Sequence, residues 1–212
     1  MKDYQKSFVD LAIESKSLHF GEFTLKSGRV SPYFFNAANM LSGYSLYDLA
    51  KCYVEAIQDK DIDFDCIYGP AYKGIFLGSI IAMILDKDGF KYPLSFNRKE
   101  IKDHGEGGSV IGNNPSGNVL IVDDVISAGT AAKESIQMIK SIGANPKVML
   151  VGLDRQEKGG GDLSARRELE EEFDMKVISI INLDTLIAYS ESTPGFETHL
   201  DRLQAYRNQW GA

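Results

Sequence analysis

Cysteine is scarce. Cys52 and Cys66 are the two cysteines among 212 residues, and they fall in segments that read as a helix and a strand. Two such residues build no disulfide framework and no metal-ligand spacing, so small buried hydrophobes in a reducing compartment are expected. Positive charge is also short: 23 Lys and Arg face 30 Asp and Glu, a formal net charge of -7. That excludes the broad basic face of a nucleic-acid binder, while an anionic small substrate stays compatible wherever cations cluster. Met1-Lys2-Asp3-Tyr4-Gln5 carries no apolar signal core, and the longest greasy run, Gly74 to Leu85, is too short to span a bilayer. A cytoplasmic protein without a membrane partner is therefore expected. There is no G-x-x-x-x-G-K-[ST] run and no G-x-G-x-x-G after a strand, which disfavours nucleoside triphosphate and dinucleotide folds.

What is present alternates. Tyr4, Phe8 and Leu11 recur at helical spacing, and Leu46, Leu49, Ala50, Tyr53 and Ile57 form a second helical stripe. Phe23 and Leu25 suggest a strand, Lys26 to Arg29 a turn, and Val30 to Asn36 an extended piece. Strands are expected at Phe64–Tyr68, Tyr92–Phe96, Val119–Val122, Val148–Leu153 and Val177–Ile181. Between them, helices are expected at Gly74–Leu85, Gly129–Ile142 and Ser164–Phe173, with a last helix over Pro194–Trp210. The alternation predicts an α/β fold with a mostly parallel central sheet flanked by helices. Residues 97–118 stand apart. They hold Lys99, Lys102 and His104 among five glycines, have no clear period, and read as a long loop acting as a lid.

The strongest pattern is Val119-Leu120-Ile121-Val122-Asp123-Asp124-Val125-Ile126-Ser127-Ala128-Gly129-Thr130-Ala131. An apolar strand ends in two carboxylates, small residues follow, and a helix begins. Ligands of open α/β sheets bind at the carboxyl ends of strands, and a helix N-terminus offers free N–H groups and partial positive charge to a phosphate. Ser127 and Thr130 add hydroxyl donors. Asp123 and Asp124 suit the cis hydroxyls of a ribose, directly or through Mg²⁺. An acidic turn with an ordinary helix cap is the bland alternative for the Asp-Asp pair alone.

This run resembles the phosphoribosyl pyrophosphate (PRPP) motif of the type I phosphoribosyltransferases. The resemblance implies that Asp123 and Asp124 meet the ribose hydroxyls and that the backbone from Val125 through Ile126, Ser127, Ala128, Gly129 and Thr130 to Ala131 holds the 5-phosphate. Further segments are similar to the bacterial orotate phosphoribosyltransferases: Phe20 to Arg29 with Ser31 to Asn36, Phe64 to Gly74, Phe96 to Gly108, and Leu153-Asp154-Arg155-Gln156-Glu157. That likeness runs nearly end to end. It implies one domain over residues 1–212, with a small hood from about residues 1–40 and a mobile catalytic loop over about residues 97–118.

Orotate is a flat anionic pyrimidine. Phe34 and Phe35 offer an apolar wall, Arg155 a planar fork for its carboxylate, and Ser127 a hydrogen bond where the family usually carries Thr. Lys26 belongs to the substrate site by resemblance. Tyr72 and Lys73, between a strand and a helix, are expected to hold the diphosphate with Arg98, Lys99, Lys102 and His104 of the loop. Lys99, Lys102, His104 and Asp124 are the candidate catalytic residues, His104 as a proton donor. The family pattern also implies Mg²⁺ without a dedicated protein cage, a cis peptide before Tyr72, and a homodimer whose loops reach into neighbouring sites. A transferase for another base and a non-catalytic PRPP sensor remain the rivals.

Overall fold

The computed structural model describes residues 1–25, 27–43, 45–102, 108–126, 129–158, 161 and 163–212, with backbone alone at 99–102 and 108–109. Lys26, His104, Ser127 and Ala128 lie outside the described residues, as do the side chains of Lys99 and Lys102.

Helix α1 (Asp3–Glu14) buries Tyr4, Phe8, Val9 and Ala12 on one face, and the Gln5 side chain accepts from Lys2 N–H at 3.0 Å to close its first turn. Strands β1 (Leu18–Thr24) and β2 (Val30–Phe35) form a separate antiparallel hairpin. After α2 (Leu46–Asp59) come β3 (Cys66–Tyr68), α3 (Lys73–Lys87), β4 (Leu94–Lys102), β5 (Gly108–Gly112), β6 (Asn118–Ile126), α4 (Thr130–Ser141) and β7 (Asn145–Asp154). The order closes with α5 (Ala165–Phe173), β8 (Lys176–Asn182), α6 (Leu183–Ser192) and α7 (Leu200–Trp210).

The main sheet has the order β5-β4-β3-β6-β7-β8, parallel except for β5. Side chains alternate across it as strand geometry requires. Leu120, Val122 and Leu150 pack with α1, α2, α3, α6 and α7; Val119, Ile121, Met149 and Val151 pack with α4 and α5. Both faces are covered, which is why β6 and β7 read as near-continuous apolar runs. From β3 the chain goes to β4 on one side and later to β6 on the other, so the strand order reverses between β3 and β6. At that reversal the carboxyl ends open a crevice.

Three expectations are corrected. Residues 97–118 hold structure of their own: β4 runs on to Lys102 and β5 pairs back on it, Asn97 opposite Val110 and Phe96 opposite Ile111. A polar edge arm needs no buried face, so alternation does not announce it. Strand β6 does not stop at Val122 but pairs with β7 through Ile126 opposite Asp154. The last helix starts at Leu200, after a 3-10 turn at Glu197–His199, and the unforeseen α6 is capped by Asn182, whose side chain accepts from Thr185 N–H at 2.9 Å.

Candidate active site

Strand β6 carries Asp123 and Asp124 side by side, so strand geometry sends them to opposite faces. Asp123 shares the face of Ile121 and α4. It lines a cavity of about 280 Å³ with Val125, Ile126, Gly129, Thr130, Ala131, Ala132 and Met149. Gly129 sits at φ +76, a left-handed conformation that a Cβ would strain, and it turns the chain into α4. The first N–H groups of α4 have no carbonyl partner within the helix and gather at this cavity. The result is an anion cradle with a carboxylate on its rim.

Asp124 shares the face of Val122 and α3. It is buried, and its Oδ2 accepts from Lys73 Nζ at 2.6 Å. Lys73 begins α3, directly after the cis peptide bond joining Ala71 to Tyr72. Asn97 of β4 holds that turn, its Oδ1 accepting from Ala71 N–H at 2.7 Å. Gly74 fits there because it has no side chain: a Cβ would lie 2.8 Å from Val122 O and 2.6 Å from Pro70 Cδ. Burial and the Asp124 charge push the Asp123 carboxyl up to about 7, while Lys73 and the 2.9 Å bond it accepts from Asp124 N–H act in the opposite direction.

Arg98 is half-buried on β4, and its Nε is buried without a hydrogen-bond partner among the described residues. Arg155 follows β7. It is buried, with its guanidinium carbon 4.2 Å from the centre of the Tyr33 ring. Phe34 and Phe35 do not share a wall. Phe35 packs toward the core at 6.3 Å from Phe8, and Phe34 is exposed on the other face of β2, 5.6 Å from Phe23. Neighbours on a strand point opposite ways, so the pair cannot enclose one ring with both side chains.

The sequence model of the phosphoribosyl transferase domain family matches residues 43–180. Orotate phosphoribosyltransferase of Marinobacter nauticus is 53% identical over the full length of both chains. The chain belongs to the orotate phosphoribosyltransferase family. Its relative of that name in Cellvibrio japonicus is 50% identical over all of this chain and 99% of its own. The crystal structure of orotate phosphoribosyltransferase from Francisella tularensis, 38% identical, superposes with a TM-score of 0.87 over 97% of this chain and 99% of that one.

Beside the residues that carry the family likeness, the structure brings in four that sequence reasoning gave no role: Ser31, Asn97, Glu157 and Tyr206. Three of these stand inside the orotate phosphoribosyltransferase-like segments: Ser31 in the β2 stretch, Asn97 in Phe96 to Gly108, and Glu157 two places after Arg155. Their contacts reach across 124, 26 and 49 positions of the chain, to Arg155, Ala71 and Tyr206 respectively, and no local spacing signals such contacts. Among the described residues, no helix is long and apolar enough to cross a membrane.

Proposed function

We infer that this chain transfers the phosphoribosyl group of PRPP to N1 of orotate, giving orotidine 5′-phosphate and pyrophosphate, a step of pyrimidine biosynthesis. The observation that carries this reading is the amide-lined cavity at the start of α4 with Asp123 on its rim and the Lys73–Asp124 pair across the sheet edge. A sugar with a phosphate at one end and a diphosphate at the other matches that layout. The 5-phosphate takes the α4 amides, Asp123 and Asp124 accept from the ribose hydroxyls, and Lys73 with the Tyr72 turn meets the diphosphate. Arg155 forks the orotate carboxylate, the exposed ring of Phe34 lies against the base, and Lys26 and Ser127 complete the pocket.

The N1 lone pair of the orotate dianion forms the bond to ribose C1, while the bond from C1 to the diphosphate oxygen breaks and its electron pair leaves with pyrophosphate. No covalent enzyme intermediate is needed; positioning and stabilisation of the leaving charge supply the catalysis. Arg98, Lys99, Lys102 and His104 are assigned to that charge, with His104 donating a proton. The buried, unpartnered Nε of Arg98 supports an anionic neighbour there.

Among the described residues, no three His, Cys, Asp or Glu side chains gather as a metal cage. Asp123 and Asp124, one buried and one on the cavity rim, fit a Mg²⁺ ion that arrives with PRPP and keeps most of its waters. When bound, the ion neutralises diphosphate charge. The homodimer is supported by the outer face of α3, where Phe76 and Met83 stand exposed about one and three turns from Lys73.

Mixing purified protein, Mg²⁺, PRPP and orotate tests the reading. Orotate absorbance falls, orotidine 5′-phosphate and pyrophosphate appear, and uracil, adenine and hypoxanthine are not consumed. Turnover of another base, with orotate untouched, overturns it.

A further inference from the structure

Glu157 stands two residues beyond Arg155, and its side chain is turned back into the protein rather than out to water. Its Oε1 accepts from Arg155 Nε at 2.6 Å and from the Tyr206 hydroxyl of α7 at 2.7 Å. Its other oxygen lies 3.5 Å from Arg29, whose guanidinium in turn covers the Trp210 ring at 4.7 Å. From the hairpin side, Ser31 Oγ accepts from Arg155 Nη2 at 2.9 Å and donates to Tyr33 O at 2.7 Å. The Arg155 plane is thus fixed by Glu157 at Nε, by Ser31 at Nη2 and by the Tyr33 ring beneath it. Donors on the guanidinium remain over for a substrate carboxylate.

The backbone that bears these groups is itself pinned. Gln156 takes a left-handed φ of 51, and its N–H donates to Asp154 Oδ1 at 2.9 Å. Its side-chain amide donates to Asp184 Oδ2 at 3.0 Å and accepts from Asp184 N–H at 3.0 Å. Residues 156 and 158 also bond residues 212 and 210, through Ala212 N–H to Gln156 O and Lys158 N–H to Trp210 O, both at 3.0 Å. These bonds of Gln156 and Lys158 fix the backbone that follows Arg155.

We propose that Glu157, held by Tyr206, is a positioning residue for base binding: it sets the plane of the Arg155 fork that receives the substrate carboxylate. The proposal rests on the orotate reading above. A freely rotating arginine loses rotamer entropy on meeting a carboxylate, and one already fixed loses less. Removing a hydrogen-bonded partner from a buried charged group weakens binding by roughly ten-fold or more.

The test is steady-state kinetics with each substrate varied, on wild type, Glu157→Ala, Glu157→Gln and Tyr206→Phe. Glu157→Ala raises KM for orotate roughly ten-fold, leaves KM for PRPP within about two-fold, and lowers kcat less than it raises KM. Glu157→Gln keeps an oxygen that accepts from both Arg155 and Tyr206, and it restores most of the loss. Tyr206→Phe keeps the ring against Tyr33, so it stays folded should the alanine variant fail to, and it shifts KM for orotate in the same direction by a few-fold. An unchanged or lowered KM for orotate in Tyr206→Phe and Glu157→Ala, an equal rise for both substrates, or a glutamine variant as impaired as alanine overturns the positioning role. Failure of the wild type to use orotate overturns the functional reading instead, so the two failures are told apart.

Discussion

Lys73 Nζ lies 2.6 Å from Asp124 Oδ2, joining the first residue of α3 to the inner face of β6. The pair crosses the crevice where the strand order reverses, between β3 and β6. It ties the end proposed to meet the diphosphate to the end proposed to meet the ribose. Lys73 keeps 39% of its side chain exposed against 9% for Asp124, so solvent screens the pair and its share of fold stability is below about 1 kcal/mol.

Lys73→Met accordingly leaves the melting temperature nearly unchanged. It raises KM for PRPP by roughly ten-fold, because a buried carboxylate loses its counter-charge next to an incoming diphosphate. Calorimetry and initial rates check both halves, and a large drop in melting temperature with an intact KM contradicts the assignment.

Asp123 gives a pH signature. Burial beside Asp124 raises its carboxyl from 3.8 to about 7, with Lys73 acting in the opposite direction. The folded chain therefore holds a proton that the unfolded chain has already released. This contribution to stability is whole below the unfolded value and is lost as pH climbs through about 7. Across that window Asp123→Asn loses less melting temperature than the wild type does. Parallel curves for the two proteins contradict the burial of this carboxyl.

Gly74→Ala places a methyl 2.8 Å from Val122 O and 2.9 Å from Gly69 C. Backbone atoms cannot step aside as a flexible side chain can. The substitution costs about 1–3 kcal/mol and moves Lys73 off Asp124. Chemical denaturation reads the cost, and a variant as stable as wild type refutes the close approach of α3 to β6.

The two phenylalanines of β2 separate stability from binding. Phe35→Ala removes a partly buried ring packed on Phe8 and costs about 2 kcal/mol. Phe34→Ala removes an exposed ring, changes stability by less than about 1 kcal/mol, and weakens orotate binding. Denaturation and orotate titration of the two variants give opposite rankings, and equal rankings contradict the facing seen here.

The end of the site proposed to hold the phosphate was legible because its residues are contiguous. Apolar Val119 to Val122, the two aspartates and the small residues to Ala131 spell strand, carboxylates and helix start in order. The length of β6 was not legible, since pairing with β7, not propensity, carries it through Asp123 and Asp124 to Ile126. Helix α6 was hidden because Ile180 and Ile181 of β8 run into Leu183, Leu186 and Ile187 with Asn182 as the sole punctuation. The base came from likeness to a family, because a fork such as Arg155 fits many carboxylates. Glu157, Tyr206 and Asn97 act on distant partners that only the packed fold supplies.

The reading proposed for this chain stands on the start of α4 and the Asp123–Asp124 edge gripping a sugar phosphate. A crystal structure of the protein with PRPP and Mg²⁺ measures that directly. The 5-phosphate is expected on the amides of Gly129, Thr130 and Ala131, with the ribose hydroxyls toward Asp123 and Asp124. PRPP seated elsewhere, with the α4 cavity holding only solvent, would contradict it.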